Sequence, residues 1–362
     1  MSTIHIDYLV VGTGVTGATI ANLLAADGRE VMVVDRRSHV AGNAHDQIHP
    51  SGIRYHTYGP HYFRTSSPRI WEFVNSFAPF YKFEGVLMTL AGTTLEYWPL
   101  NIEYIHRHLG KDWQPEFTGT PSNFEEAALS LMPRLLYDRF VAGYTEKQWG
   151  VHPTELEPWL AKRLEIRHTS DRRLKTHRYQ GIPRGGYEAW VRNMLKGIEC
   201  LLDTDYLAER HRFHVRKHLI FTGPVDEYFG YDWGKLQYRG QRRSHLFFPN
   251  HDYLYPVCQV NIPSTEAGPH VRVLEWKHTL PPEERNIKGA LLTLETPFSP
   301  DHPSDYEYPF PSTRNSELYQ RYHARAQALQ KVLICGRLGE YRYYDMDQAI
   351  ARAFVLYKRI LK

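Results

Sequence analysis

Residues 7–11, Asp-Tyr-Leu-Val-Val, form a short apolar run that stops at Gly12, and apolar residues then return at helical spacing at Ala18, Ala21, Leu23 and Leu24. The pattern predicts a buried strand, a tight turn and a helix. A second apolar run, Glu30-Val-Met-Val-Val-Asp35, reads as the next strand. Far down the chain, His218-Leu-Ile-Phe-Thr-Gly223 and Lys331-Val-Leu-Ile-Cys-Gly336 again run from strand into glycine, and both are expected to rejoin the N-terminal sheet. An amphipathic helix through Ile350, Phe354 and Ile360 closes the chain.

The middle reads differently. From Ser66 to about Gly150 the pattern is mainly helical: a helix over 69–80, then a capping box at Ser122-Asn-Phe-Glu125 opening a long run through Ala128, Leu131, Leu135, Leu136 and Phe140. A second box, Thr154-Glu-Leu-Glu157, predicts another helix, and one more falls between Gly185 and Leu202. Short alternating segments from Leu236 to Thr296, such as Val271-Arg-Val-Leu-Glu-Trp276, predict antiparallel strands. The expected fold is α/β, a discontinuous Rossmann-like nucleotide domain (1–80, 200–235 and 325–362) carrying a helical insertion (101–166) and an antiparallel β-sheet domain (81–100, 167–199 and 236–324).

Composition narrows the class. The chain has 362 residues, 42% hydrophobic and 23% charged, which excludes disorder and collagen-like structure. No apolar run approaches the ~20 residues of a membrane span, so no membrane association and a cytoplasmic location are expected. Lys and Arg total 44 against 40 Asp and Glu, a net charge of +4 too small to favour nucleic acid as partner. Cys200, Cys258 and Cys335 are odd in number and far apart, which argues against a disulfide framework or a metal site. The 25 Tyr, 8 Trp and 20 His offer stacking faces and hydrogen-bonding tips for rings and phosphates.

Gly12-x-Gly14-x-x-Gly17 supplies the specific chemistry. Gly12 permits the turn, Gly14 lets the backbone approach a pyrophosphate, Gly17 allows helix to pack on strand, and the helix N-terminus offers N–H groups to the anion. Asp35, 18 residues after Gly17, stands where a ribose hydroxyl needs an acceptor. Beyond it the basic pair Arg36-Arg37 and the turn Ala41-Gly42-Asn43 resemble flavoproteins, which favours FAD over NAD. A second such fingerprint is absent from the sequence, so electrons are expected from an external reductant, NAD(P)H or a flavin reductase.

Over essentially its whole length the chain resembles the UDP-galactopyranose mutase family. The resemblance rests on the glycine fingerprint and on five further blocks: Tyr58-Gly-Pro-His61-Tyr-Phe-Arg64-Thr, Gly143-Tyr144-Thr145-Glu-Lys-Gln-Trp149-Gly, Tyr179-Gln-Gly-Ile-Pro, Phe221-Thr-Gly-Pro and Gly336-Arg337-Leu-Gly-Glu-Tyr341-Arg-Tyr343-Tyr344-Asp345-Met. It implies a ring contraction without net redox change. Reduced FAD acts as a nucleophile: its N5 attacks the anomeric carbon of a nucleotide sugar and expels the nucleoside diphosphate. The ring then opens and recloses through another hydroxyl, and the diphosphate, which must stay bound, returns.

By family position, Arg167 and Arg272 hold the diphosphate, with Tyr179, Tyr308 and Tyr343 as hydroxyl donors. Arg167 lies in a basic stretch, Lys162 to Arg184, part of which the family places on a mobile loop over the substrate. Tyr144 and Trp149 are implied as base and sugar-side aromatics, with Phe140 and Thr145 in the same pocket and Asn261 as a sugar or base contact. His61 is implied beside the isoalloxazine, and Arg337, Tyr343, Asp345 and Met346 on its C-terminal side. Where most members carry a second histidine this chain has Arg64, and the longer cation is expected to alter substrate choice, a C2 N-acetyl group being the first expectation. Bacterial relatives imply a homodimer. The rival readings are an amine-oxidase-type flavin oxidoreductase and a basic nucleic-acid-binding protein.

Overall fold

The computed structural model describes residues 3–361. Five parallel strands form the nucleotide sheet, in the order Glu199–Leu201, Val31–Val34, Ile4–Val11, Phe213–Phe221, Val332–Ile334. Strands of a parallel sheet are covered on both faces, which is why their sequences are nearly continuous apolar runs. Helices Val15–Ala26, Gly186–Met194 and Met346–Ile360 cover one face, burying Val10, Leu24, Trp190 and Ile350 together. On the other face helix Thr313–Gln327 brings Tyr322 and Ala326 against Phe221 and Ile334.

Gly17 explains the tight contact at the fingerprint. A Cβ there would lie 2.0 Å from the Gly12 carbonyl oxygen, so only glycine lets the helix approach the strand end this closely. Gly12 itself sits at φ +106°.

A seven-stranded sheet forms the second unit, in the order Tyr308–Pro309, Tyr238–Phe248, Ala290–Phe298, Arg272–Glu275, Gln259–Asn261, Leu87–Ala91, Thr94–Trp98. It is antiparallel as expected except where Gln259–Asn261 runs parallel to Leu87–Ala91. A three-stranded sheet, Phe63–Thr65, Tyr179–Pro183 and Phe80–Lys82, lies between the two units in sequence.

Several expected boundaries move. The helix expected over 69–80 is Pro68–Asn75, capped by the Ser67 hydroxyl, and Phe80–Lys82 is strand. The expected long helix after Ser122 is broken, because Pro133 has no N–H to donate and obstructs the preceding turn. It becomes Phe124–Leu129, Arg134–Tyr137, a π-helical turn Asp138–Ala142, and Gly143–Trp149. Its cap is Asn123, whose side chain accepts from Glu126 N–H at 3.0 Å, while Glu126 reaches back to Ser122. The box expected at Thr154 is made by His152 and Glu155, and Pro153 and Pro158 open only short 3-10 turns, Pro153–Glu155 and Pro158–Arg163. Helices Gly186–Met194 and Thr313–Gln327, expected with the sheet domain, pack on the nucleotide sheet instead.

Gly17→Ala is expected to cost about 3 kcal/mol through overpacking against backbone, measured as a lowered unfolding midpoint together with loss of bound flavin from the purified protein.

Candidate functional site

The fingerprint opens one wall of a trough of about 1150 Å³ between the nucleotide sheet and the segments 204–207, 303–304 and 336–349. Gly14 caps the first helix and lies against the 41–42 turn, where a Cβ on Gly42 would stand 2.9 Å from the Gly14 Cα. Two glycines therefore meet to leave a backbone cradle, which fits an extended dinucleotide diphosphate. Ala41, in the same turn, adopts φ +75°, a conformation that costs a residue with a Cβ about 1 kcal/mol or more.

Asp35 is in the trough wall, as expected. One carboxylate oxygen accepts from Thr13 N–H at 2.7 Å and Thr13 Oγ1 at 2.6 Å, the other from Arg37 N–H at 3.0 Å, which fixes its orientation and leaves lone pairs for a ribose hydroxyl. The basic pair is largely committed elsewhere. Arg36 forms two 2.9 Å hydrogen bonds to Glu227, while Arg37 donates to the Ser304 carbonyl at 2.8 Å and stacks on Tyr58. Asn43 donates to the Tyr306 carbonyl at 3.2 Å.

His61, Arg337 and Met346 also line the trough. His61 Nδ1 lies 2.7 Å from the Gly59 carbonyl, which can only accept, so Nδ1 carries the proton and Nε2 a lone pair. Burial, with the Arg337 charge, pushes its pKa down to about 4, so the ring is neutral. Arg337 donates to the carbonyls of Glu307 at 3.2 Å and Tyr344 at 2.7 Å. Asp345 caps helix Met346–Ile360 in a reciprocal box with Gln348 and pairs with Arg64 at 2.9 Å.

Beyond His61 a charge network crosses the large sheet. Arg272 Nε donates to Glu295, whose other oxygen accepts from Arg243 Nε at 2.8 Å. Arg243 also grips Glu307 with two hydrogen bonds of 2.8 and 2.9 Å. All four sit on adjoining strands or, for Glu307, just before one, and Glu295 is wholly buried. Burial raises the Glu295 pKa, but Arg272 and Arg243 outweigh it and hold the carboxylate below its usual range. In Glu307, hydrogen-bonded to Arg243 and also facing the Glu295 charge, burial wins over the pull of Arg243 and Arg272 and the pKa rises. Gly59 runs directly over the network, since a Cβ there would lie 2.8 Å from Glu295 Oε1.

The phenols gather beside it. Tyr308 and Tyr343 stack with centroids 5.4 Å apart, and the Arg337 guanidinium lies 5.8 and 5.2 Å from their rings. Burial raises the pKa of Tyr308 and of Tyr144, each in the field of Arg272, so both keep their protons and remain donors.

Other expected residues sit differently. Arg167 is 4% exposed, and its guanidinium is occupied by Glu165 at 2.8 and 3.1 Å and by the carbonyls of Asp171, Arg173 and Leu174. It staples the 165–174 loop rather than pointing into the site. Trp149 meets Phe310 edge-on and Phe140 meets Tyr104, both inside the helical core, and Thr145 is buried; Tyr144 is the half-buried member of that block. Tyr179 stacks on Trp71 at 5.3 Å. Asn261 accepts from Gln259 at 2.9 Å and is in register with Arg272. Sequence reasoning missed Arg243, Glu295 and Glu307. The signal available was for Glu295 alone, a single carboxylate in the mainly apolar run Ala290–Phe298. Among the described residues no cluster of three metal-ligating side chains occurs, and no helix is long and apolar enough to cross a membrane.

Two outcomes are expected. Glu295→Gln should cost about 3–5 kcal/mol by stranding buried cations, and more than Glu307→Gln, as read by urea unfolding of the holoenzyme. For His61, whose unfolded-state pKa is about 6.5 and whose folded pKa is about 4, the unfolded chain binds more protons between those values. Stability from this group therefore falls as pH drops through that window. His61→Asn should reduce the difference in unfolding midpoint between about pH 7 and about pH 5.

Residues 139–343 match the model of the UDP-galactopyranose mutase family, and residues 10–77 that of NAD(P)-binding Rossmann-like domains. Among curated proteins, a dTDP-fucopyranose mutase of Escherichia coli is 32% identical over 95% of this chain and 96% of its own length. A probable UDP-galactopyranose mutase of Klebsiella pneumoniae is 30% identical over 96% and 92%. The crystal structure of a reduced UDP-galactopyranose mutase superposes with TM-score 0.78 at 15% identity, covering 99% of this chain and 94% of the other. A putrescine oxidase variant superposes at 0.62 with 10% identity and 99% coverage of both, so the oxidase fold is shared. With its family match over more than half the chain and a full-length relative above 30% identity, the chain belongs to the UDP-galactopyranose mutase family, flavin-dependent isomerases that interconvert pyranose and furanose nucleotide sugars.

Proposed function

We propose that this protein interconverts the pyranose and furanose forms of a hexose carried on a pyrimidine nucleoside diphosphate, with reduced FAD in the trough. When bound, the flavin supplies a nucleophilic nitrogen for the anomeric carbon. The observation that carries the reading is the gathering of proton-retaining phenols and a carboxylate-anchored arginine fork beside Arg337, which with His61 lines the trough.

Each residue then has a defined task. Arg272, held through Nε by Glu295, turns its remaining N–H groups to the diphosphate. Tyr308 and Tyr144 donate hydroxyl protons to the departing oxygens, and Tyr343 stacks behind Tyr308. His61, neutral and with its lone pair on Nε2, accepts a hydrogen bond without adding charge. Gly12, Gly14, Gly17 and Asn43 line the diphosphate end of the trough, and Asp35 takes the ribose. Retention of the expelled diphosphate follows from binding it with fixed cations and donors, because a leaving group that escapes cannot close the new glycosyl bond.

The names of the relatives differ in base and in sugar, dTDP-fucopyranose for one and UDP-galactopyranose for another. Thymidine or uridine, and a 6-deoxy or 6-hydroxy sugar, are the alternatives. Arg64 bears on C2: one of its terminal nitrogens is bound to Asp345, and its Nε is buried without a partner. An acceptor on the substrate, such as an N-acetyl carbonyl, would satisfy a residue so placed.

Anaerobic incubation of dithionite-reduced holoenzyme with a panel of UDP- and dTDP-linked pyranoses and furanoses, with and without C2 N-acetylation, is expected to yield ring isomers. Oxygen-18 in the glycosyl–phosphate bridge should scramble to non-bridging positions in the reduced protein alone. Substrate-dependent flavin reduction without isomerisation would instead establish the oxidase reading. Arg64→His is expected to change the ratio of rates for N-acetylated and plain sugars, and an unchanged ratio removes Arg64 from substrate choice.

A further inference from the structure

Tyr144 and Lys147, three residues apart, share one face of the helix Gly143–Trp149. That face meets the hairpin made by strands Gln259–Asn261 and Arg272–Glu275. At the start of the helix a Cβ on Gly143 would stand 2.4 Å from the Pro263 carbonyl oxygen, so the two backbones touch. One turn on, the Lys147 ammonium donates to three carbonyls of the turn that joins the strands: Ser264 at 2.9 Å, Gly268 at 3.2 Å and His270 at 2.7 Å. Ser264 lies just beyond Asn261 and His270 just before Arg272, so one cation gathers both arms of the hairpin onto the helix.

An ammonium has three protons and accepts nothing, and here all three go to backbone oxygens. No carboxylate shares the charge. Glu146 on the same helix and Glu266 in the turn are exposed, and burial alone lowers the Lys147 pKa, to about 8. Of the other titratable groups on the elements packed here, His270 Nδ1 is taken up by Thr296 Oγ1 at 2.7 Å. Arg239 donates to the last carbonyls of the helix, Gln148 at 2.8 Å and Lys147 at 3.3 Å. Arg239 therefore fixes the helix to strand Tyr238–Phe248, which also carries Arg243, while Lys147 fixes the hairpin that carries Arg272 to the helix. The Tyr144 phenol, in the field of Arg272, stands between these two attachments.

The geometry points to Lys147 as a positioning residue: by clasping the 264–270 turn it sets the spacing between the Tyr144 hydroxyl and the Arg272 fork, the two groups that grip the nucleotide's diphosphate. This rests on the nucleotide-sugar reading above and adds the group that holds its geometry. Small displacements of a gripping group are costly, because fixed donors act only where the charge is. A neutral amine has two protons to give, so loss of the third releases one carbonyl and loosens the hairpin.

The test measures binding without turnover. Calorimetry on the FAD-loaded protein gives the Kd of UDP and dTDP at about pH 7 and about pH 9, on either side of the Lys147 titration, for the parent chain, Lys147→Met and Lys147→Arg. At the lower pH, Lys147→Met is expected to raise the Kd for whichever diphosphate binds by about tenfold, and Lys147→Arg to recover part of the loss. Between the two pH values the parent should lose affinity relative to both variants, since only the parent has a titrating group at this position. The ligand's own ionisation, and that of Lys175, which burial also holds below its ordinary value, are common to all three proteins. A merely structural lysine would lower the melting temperature of Lys147→Met without this difference in pH slope. Affinity of Lys147→Met within about twofold of the parent overturns the assignment, as do equal pH slopes in parent and variants. If Lys147→Met does not retain flavin, the slope of Lys147→Arg against the parent decides alone. A parent chain that binds neither diphosphate overturns the assignment together with the nucleotide-sugar reading, whereas diphosphate binding without isomerisation across the sugar panel refutes the function reading and leaves the role of Lys147 standing.

Discussion

A buried carboxylate shared between two arginines is the constraint around which this structure is arranged. Glu295 is wholly buried between Arg272 and Arg243, and such a charge is tolerated only when it is paired. Pairing of strands fixes the arrangement: Arg243 is opposite Glu295, Glu295 opposite Arg272, Arg272 opposite Asn261 and Asn261 opposite Thr89. One polar row therefore runs across five strands on a single face. A slip of one residue in any pair would turn part of that row to the other face and strand a charge in apolar surroundings. The same requirement that preserves the register aims the Arg272 fork.

The nucleotide trough and this row meet through a short stretch of chain. Gly59 passes over Glu295, its carbonyl fixes the His61 tautomer, and Phe63–Thr65 then enters the three-stranded sheet. Tyr187, at the start of a helix packed on the nucleotide sheet, donates its hydroxyl to the His61 carbonyl at 3.0 Å and accepts from Phe63 N–H at 3.0 Å. The segment carrying His61 and Arg64 is thus tied to both units. Arg337 does the same from the C-terminal side, bonding the backbone at Glu307 and at Tyr344. A site assembled from elements so distant in sequence keeps its geometry because each is fixed by backbone hydrogen bonds rather than by loop contacts alone.

The loop after Arg163 illustrates why arginines cannot be ranked by position in a basic stretch. Arg167 and Arg163 are both cationic and four residues apart, yet one spends its donors on the chain that carries it and the other rests on an aromatic ring with its rim open. Burial and partners separate them, and neither is encoded in local sequence.

Local sequence determined the parts whose physics is local. The strand–glycine–helix unit, the cap and final helix at 345–360, the strands that rejoin the first sheet and the antiparallel pairing after residue 236 all follow from apolar periodicity and glycine placement. The blocks around His61, Tyr144 and Arg337 identified the family for the same reason, each being a contiguous run. What tertiary structure alone decided is how charges are shared. Whether Arg36 faces a cofactor or Glu227, whether Phe140 and Trp149 line a pocket or fill a core, and which arginine is free beside Tyr343 depend on groups tens to hundreds of residues away. A side chain's partners are set by strand register and helix packing, and pairing across that distance leaves no periodicity in the chain to read.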